Sequence, residues 1–344
     1  MTKVASCNHL PAPPSPAPGR AKRAASLGFA GVALLGASVA AACSGTRSST
    51  EGSSGQGGVN ASASASASLS AAAGSASAAA GSAPPGGRCG PLECSFYDTP
   101  EAALASLLVP VPRLLAVGEA HAQKGEGRGS SVAKRFTERL LPALEGKASD
   151  LLVELMLPPK GCAKTADVVR ERQAPALAPQ ADTNQNEYLA LGEAARRRGI
   201  VPDALRPSCD DLAAIGRTGD AGESVVAMMT TIERLTEAKA SELLARAARA
   251  EARTMVVTYG GALHNDVAPK PGREAWSFGP ALERAAGGAY VELDVFAPEA
   301  IGEGEAWRAL AWHAHYDAAR FATKAVLFRT GPKSYALVLP RELP

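Results

Sequence analysis

The sequence predicts an α/β fold with a central, mostly parallel sheet, an antiparallel edge hairpin and flanking helices. Short apolar runs closed by glycine or proline alternate with amphipathic stretches, which is typical of strand–helix–strand units. The runs of this kind are 113–118, 150–156, 254–259 and 289–295. Two later runs, 324–329 and 334–339, flank Gly331-Pro332 and predict the closing hairpin.

Helical periodicity supports the layers around this sheet. Four apolar residues between Val132 and Leu144 recur at every fourth position, so they share one helical face. Stretches 188–198 and 223–253 also indicate helices. Between them, Ile200-Val201-Pro202 predicts an edge strand, because proline cannot donate to a strand ladder.

The first 43 residues predict a lipoprotein signal peptide. Basic residues precede an apolar run, Leu27–Ala42, which is too short for a membrane-spanning helix. The run ends in Ala40-Ala41-Ala42-Cys43, which resembles a bacterial lipobox with alanine at the usual leucine position. We therefore expect a lipid on Cys43 and a place in the cell envelope, on the periplasmic or surface side of the outer membrane. An ordinary cleavable signal and an uncleaved anchor are the alternatives.

Residues 44–88 predict a disordered linker, and residues 89–344 predict one folded domain. The linker is rich in serine, alanine and glycine, and such a segment cannot bury enough apolar surface to offset the entropy of ordering. The formal net charge is +2 at pH 7, and no basic stripe interleaved with aromatic residues is present. This composition argues against a nucleic-acid partner and favours a small-molecule ligand or substrate.

Four cysteines follow Cys43, and in an exported protein an even number predicts disulfides. Cys89 and Cys94 lie five residues apart around Gly90-Pro91, so we pair them in a small loop at the entry of the domain. Cys162 then pairs with Cys209. A zinc site is the alternative, but no two of these cysteines have C-x-x-C spacing.

Four ionisable residues lie on or directly after predicted strands: Glu119 and His121 after the first, Glu154 in the second and His264 after the third. The carboxyl ends of parallel strands are where open α/β sheets bind ligands, so these groups are expected to converge. A carboxylate in an apolar run such as that around Glu154 also costs free energy unless it has a partner. Taken singly, each residue is explained equally well by a solvated face, a loop or a turn.

Two imidazoles and a carboxylate suit two kinds of chemistry. His121, Glu154 and His264 can hold a divalent metal with open positions for water. Alternatively, one histidine takes a proton from water while the carboxylate orients it. The pair His313 and His315 is interpreted as surface or packing residues, because positions i and i+2 face apart on a helix.

The strand followed by Gly-Glu-x-His, the strand carrying Glu154 and the later Gly/His motif resemble the erythromycin-esterase/ChaN/Tiki superfamily. The resemblance covers residues 97–339 and implies a mixed α/β domain with its site at the strand ends. The superfamily includes haem-binding uptake lipoproteins of the ChaN type, in which a tyrosine and a histidine ligate haem. For this chain the resemblance points to His121 with Tyr259, or with Tyr188.

The leading expectation is an exported lipoprotein that binds haem or another iron-bearing ligand. The first alternative is a hydrolase in which His121 acts as base or metal ligand, Glu154 as orienter or ligand, His264 as ligand or electrostatic stabiliser, and Glu119 as proton shuttle. The second alternative is a degenerate member that serves surface interactions. The cofactor is therefore expected to be haem or a divalent metal ion, and the sequence does not distinguish the two.

Overall fold

The computed structural model describes residues 87–125, 129–249 and 254–342. The predicted signal peptide, Cys43 and nearly all of the predicted linker lie outside these residues. The first strand begins at Gly87, just before the predicted start of the domain at Cys89. None of the described helices is both long enough and apolar enough to cross a membrane.

The described residues contain nine strands in one mixed sheet. They are β1 (Gly87–Cys89), β2 (Leu92–Tyr97), β3 (Leu114–Glu119), β4 (Ala148–Met156), β5 (Val201–Leu205), β6 (Met255–Gly261), β7 (Tyr290–Phe296), β8 (Ala325–Arg329) and β9 (Ser334–Val338). Their order across the sheet is β1-β2-β8-β9-β7-β3-β6-β4-β5. All neighbours from β9 to β5 run parallel, and all pairings from β1 to β9 are antiparallel. These pairings confirm the predicted α/β fold class.

The two edges of the sheet differ in how well the sequence predicts them. β8 and β9 form the predicted hairpin, but β2 pairs with β8 and β1 with β2, so the antiparallel edge extends two strands further. At the other edge lies β5, which contains Pro202. This confirms the predicted edge strand, because proline has no N–H to donate to a further neighbouring strand.

Eight α-helices in the described ranges flank the sheet. They are α1 (Pro100–Leu107), α2 (Val132–Arg135), α3 (Ala163–Leu177), α4 (Asn184–Arg197), α5 (Cys209–Gly216), α6 (Ala221–Arg249), α7 (Gly279–Ala285) and α8 (Glu305–Arg308). Local sequence explains two of the starts. Thr99 caps α1 by accepting from the Ala102 N–H, and Ser208 with Asp211 forms a capping box on α5.

The helix predicted over 132–144 is present but is not one regular helix. It begins as α2, continues as a π-helical turn over Phe136–Leu140, and ends as a 3-10 turn over Leu141–Leu144. Pro142 lacks the N–H that an α-helical hydrogen bond requires, so the α-helical pattern cannot pass through it. The apolar face is nevertheless buried, as the four-residue spacing predicts.

Alternation along the central strands builds a separate core on each face of the sheet. On β3, Leu115 and Val117 join the core beneath α1 and α4, whereas Leu114 and Ala116 join the core beneath α3, α5, α6 and α7. A third cluster, with Phe296 as a member, covers the antiparallel part of the sheet. Both faces of the parallel strands are thus buried, which explains their continuous apolar runs.

Both predicted disulfides are confirmed. Cys89 and Cys94 have Cα atoms 5.8 Å apart and close the turn between β1 and β2. Cys162 and Cys209 have Cα atoms 5.5 Å apart and join the starts of α3 and α5. The second bridge therefore ties together two helices that are far apart in sequence.

Candidate functional site

The predicted site residues lie at or near the carboxyl ends of three neighbouring strands, β3, β6 and β4. Glu119 is the last residue of β3 and pairs in register with Gly261, the last residue of β6. β4 lies on the other side of β6 and carries Glu154 near its carboxyl end. The parallel register of three neighbouring strands is what brings these residues together.

Glu119 is a buried carboxylate that accepts hydrogen bonds from three side chains. Its Oε1 lies 3.0 Å from Nδ1 of His121 and 2.9 Å from the hydroxyl of Tyr188, which donates to it. Its Oε2 accepts a hydrogen bond from the hydroxyl of Tyr259. Three donors around one carboxylate fix its orientation.

Glu119 in turn fixes the tautomer of His121. With the Nδ1 proton directed to Glu119, the neutral ring has its lone pair on Nε2, so Nε2 is the nitrogen that can accept a proton or bind a ligand. Burial lowers the pKa of His121, but the hydrogen bond and charge of Glu119 and the charge of Glu154 outweigh it. The net effect is a raised pKa, because the carboxylates stabilise the imidazolium form.

Tyr188 and Tyr259 remain protonated donors. Burial first, and the negative charge of Glu119 next, raise the pKa of both phenols well above the ordinary value. The hydroxyl of Tyr259 is committed to Glu119 and its ring is 1% exposed. These contacts work against Tyr259 as a phenolate ligand of haem iron, the role that the resemblance implied.

Glu154 and His264 bring two unpartnered buried atoms face to face. Oε2 of Glu154 accepts a 2.8 Å hydrogen bond from the Gly261 N–H, and Nδ1 of His264 lies 2.6 Å from the Trp276 carbonyl oxygen. The remaining atoms, Oε1 of Glu154 and Nε2 of His264, are 3.8 Å apart, and both are buried without a hydrogen-bond partner. Buried polar atoms of this kind are usually satisfied, so this pair is where a substrate, water or ion would be held.

Two glycines make room for acidic side chains near the carboxyl ends of the strands. A Cβ on Gly260 would lie 2.2 Å from Oε2 of Glu154, so the carboxylate can rest against the backbone only because this residue is glycine. A Cβ on Gly118 would lie 2.4 Å from Oδ1 of Asp294, on the neighbouring strand. Gly260 is therefore a packing requirement of the candidate site, whereas Gly118 makes room for Asp294 on the other face of the sheet.

The sequence identified the charged groups of the site but not the network that joins them. Tyr188 lies on α4, where Leu191 follows it by three residues and Ala195 by seven. All three residues are buried. This spacing is a signal that Tyr188 faces inward. No spacing in the sequence indicates that its hydroxyl meets Glu119, because α4 and β3 are brought together only by the fold.

The metal prediction gains no support from the arrangement of these side chains. Across the described ranges, no group of three or more His, Cys, Asp or Glu side chains is placed to hold a metal ion. His313 and His315 lie in a short 3-10 helix, and Nε2 of His313 bonds to the Gly302 carbonyl. That contact agrees with the predicted packing role.

No family model and no curated protein matches this chain. Among solved structures, the type III effector HopBA1 is similar at 13% sequence identity and a TM-score of 0.32. The match covers 67% of this chain and 88% of that one. A likeness of this degree carries no functional argument, so the function has to be inferred from the site itself.

Proposed function

We propose that the domain is a hydrolase in which His121 takes a proton from water. The observation that carries this proposal is the contact of Nδ1 of His121 with Glu119, whose carboxylate is itself held by Tyr188 and Tyr259. An imidazole anchored in this way by a carboxylate is oriented as a general base, with Nε2 as the proton acceptor.

The reaction is the hydrolysis of a carboxylic ester. The water oxygen attacks the carbonyl carbon while one water proton passes to Nε2 of His121. The bond from carbon to the leaving oxygen then breaks, and the same proton passes to that oxygen. The acid and the alcohol leave, and His121 is neutral again.

The contacts favour roles for the two glutamates that differ from the sequence expectation. Glu119 touches Nδ1 of His121, so it acts as the orienting group rather than as a proton shuttle. The charge of Glu154 raises the pKa of His121, so Glu154 stabilises the imidazolium that forms during the reaction. The free Oε1 of Glu154 and Nε2 of His264 are left to accept hydrogen bonds from the substrate.

The test is the rate of hydrolysis of a panel of 4-nitrophenyl esters by the full chain and by His121→Ala. Loss of a general base is expected to lower kcat/KM by about 10²–10⁴-fold. His315→Ala is the matched control, because His315 lies in the 3-10 helix away from the site. Equal rates for the full chain and His121→Ala, or no ester hydrolysis by the full chain, would refute the proposal.

Haem binding is the second candidate, and the same contact favours it. A histidine that ligates a metal usually donates its other ring N–H to a carboxylate or carbonyl, as Nδ1 of His121 does toward Glu119. A haem titration followed at the Soret band separates the two functions. A saturable shift that His121→Ala removes and Tyr259→Phe keeps would favour haem ligation through Nε2 of His121.

Export and lipid anchoring are proposed from the predicted signal peptide alone. The run ending at Ala42 and the cysteine that follows support acylation of Cys43 and a cell-envelope location. Labelling with a clickable fatty acid in cells is expected to mark the native chain and not Cys43→Ala. Equal labelling of both would overturn this part of the proposal.

A further inference from the structure

His121 lies on the segment that follows β3, so its position depends on contacts with other parts of the fold. The strand ends at Glu119, and residues 120–122 have no regular secondary structure. His121 is nevertheless buried. A general base acts only when it is held within about 0.5 Å of its productive position, so other groups have to fix this segment.

The connection between α3 and α4 holds the main chain on the carboxyl side of His121. The Ala181 N–H donates to the Ala122 carbonyl oxygen at 2.8 Å, and the Lys124 N–H donates to the Pro179 carbonyl oxygen at 2.7 Å. An isolated antiparallel bridge lies between these two contacts. The segment after His121 is therefore paired with the α3–α4 connection, as a short strand would be.

Asn184 adds a side-chain hydrogen bond to the same carbonyl group. Its Nδ2 donates to the Ala122 carbonyl oxygen at 3.1 Å, so this oxygen accepts from two donors. Asn184 is the first residue of α4 and is buried. Asparagine is common at helix starts because its side chain can cap the free N–H groups. In α4 no such cap bond forms, and the amide of Asn184 is directed to the segment after His121 instead.

Tyr188, four residues further along α4, holds the other side of His121. This spacing puts Asn184 and Tyr188 on one face of the helix, and both are buried. The Tyr188 hydroxyl donates to Glu119, which precedes His121 by two residues. Asn184 holds Ala122, the residue directly after His121. One face of α4 therefore fixes the chain on both sides of the histidine.

We propose that Asn184 is a positioning residue for His121. By fixing the Ala122 carbonyl group, its amide keeps Nδ1 of the His121 ring against Glu119 and so fixes the direction of Nε2. For its effect on the reaction the proposal rests on the hydrolase function given above. The placement of the His121 ring is measured separately, without a substrate.

The first test is the kinetics of 4-nitrophenyl ester hydrolysis by Asn184→Leu, which has a side chain of similar size and no donor. The Ala122 oxygen keeps its bond from the Ala181 N–H, so the melting temperature should stay within about 4 °C of the native value. A displaced base should lower kcat by about 10–100-fold and leave KM within about threefold. Asn186→Leu, at an exposed position of the same helix, is the matched control and should change neither constant.

The second test is the pKa of His121, measured from its ring signals in an NMR titration of the full chain. The chain has five histidines, so comparison with His121→Ala identifies the signal. Glu119 raises the pKa of His121 in the native chain. A ring displaced from Glu119 in Asn184→Leu should therefore titrate with a pKa lower by roughly 0.5 unit or more, and Asn186→Leu should keep the native value.

Asn184→Ala replaces Asn184→Leu in both tests if the leucine variant does not fold. Alanine is the best helix former, and it removes the donor without requiring more space. Asn186→Ala is then the control.

A lower kcat together with a lower pKa of His121 would support the proposal. If a folded Asn184 variant keeps the native kcat and the native pKa of His121, Asn184 serves stability alone and the proposal is overturned. If the native chain hydrolyses no ester, the hydrolase is refuted and the pKa of His121 decides by itself. A lowered pKa would still support the positioning role of Asn184, and an unchanged pKa would overturn it.

Discussion

Two groups of carboxylates lie on opposite faces of the sheet, near the carboxyl ends of its parallel strands. Glu119 on β3 belongs to one group, and Asp294 on β7 belongs to the other. Asp294 pairs in register with Gly118, so its side chain lies on the face opposite to that of Glu119. Glu119 is buried and Asp294 is partly buried, and their neighbours supply different numbers of hydrogen-bond donors.

The group around Asp294 is rich in acids and poor in donors. Burial raises the pKa of Asp294 well above its ordinary value, and the charge of Glu292 adds to this effect. Asn265 donates one 3.0 Å hydrogen bond to Asp294 and leaves its own Oδ1 without a partner. Burial likewise raises the pKa of Glu292 to about 7, although the Val267 N–H opposes the increase.

The comparison teaches that burial alone does not make a carboxylate chemically active. Glu119 has a histidine and two tyrosines as donors, and its hydrogen bond and charge raise the pKa of His121. Asp294 shares its surroundings with other acids, so a proton is the partner that it gains most readily. The donor set separates the candidate catalytic group from the structural one.

The largest expected effect is that of Glu119→Gln on the reaction. An amide cannot stabilise the imidazolium as a carboxylate does, so kcat/KM should fall by about 10²–10³-fold. Glu119 raises the pKa of His121, so its loss should move the acid limb of the kcat/KM pH profile to lower pH. Glu119→Asp keeps the charge and is the control. An acid limb that stays in place in Glu119→Gln would contradict the role of Glu119.

Tyr259→Phe tests the donors of the same group. Oε2 of Glu119 accepts from Tyr259, whereas Oε1 accepts from both Tyr188 and His121. Removal of the Tyr259 hydroxyl leaves a buried carboxylate oxygen short of its donor, which should cost about 1–3 kcal/mol of unfolding free energy. Tyr188→Phe is the matched control and should cost less. Urea unfolding measures both, and equal losses would show that the two oxygens are not distinguished in this way.

The sequence predicts the parallel strands and the strand ends at which the candidate residues lie, because both depend on local patterns. Apolar runs closed by glycine fix the ends of β3 and β6, and a parallel sheet brings those ends together. The contacts of Tyr188 and Tyr259 with Glu119 depend on how a helix and a strand pack against β3. No local pattern carries that information, so the sequence interpretation assigned the orienting role to Glu154, whereas the contacts lead us to propose it for Glu119.

The edge strands β1 and β2 are missed for a similar reason. β1 has only three residues, and the first two lie within the predicted linker, so it has no periodicity to detect. Its place in the sheet is fixed by the turn that Cys89 and Cys94 close and by the pairing of β2 with β8. The disulfide was predicted, but the strands that it joins become evident only from their pairing.

Glu292→Gln should change how stability depends on pH. The folded-state pKa of Glu292 is raised to about 7, so its contribution is fully present below about pH 4.5 and is lost as pH rises through 7. Relative to Glu292→Gln, the native chain should therefore lose roughly 2–3 kcal/mol of unfolding free energy between about pH 4.5 and pH 8. Urea unfolding at several pH values measures this, with Glu305→Gln on exposed α8 as control. A pH-independent difference would contradict the raised pKa.

The smallest expected effect is that of Asp294→Asn, the counterpart of Glu119→Gln on the opposite face. An amide resembles a protonated carboxyl group in size, and its oxygen can still accept from Nδ2 of Asn265. Its NH₂ group can also donate to the unpartnered Oδ1 of Asn265. The change in unfolding free energy at neutral pH should be below about 1 kcal/mol, and kcat/KM should stay within about threefold.

The sign of this effect should depend on pH, because the raised pKa of Asp294 makes the native chain lose stability as pH rises, whereas asparagine does not titrate. Asp294→Asn should therefore match or exceed the native stability at about pH 8. A loss of more than about 2 kcal/mol at that pH would instead mean that Asp294 is ionised in the folded protein and holds donors as Glu119 does. In that case the donor set would no longer distinguish the two groups.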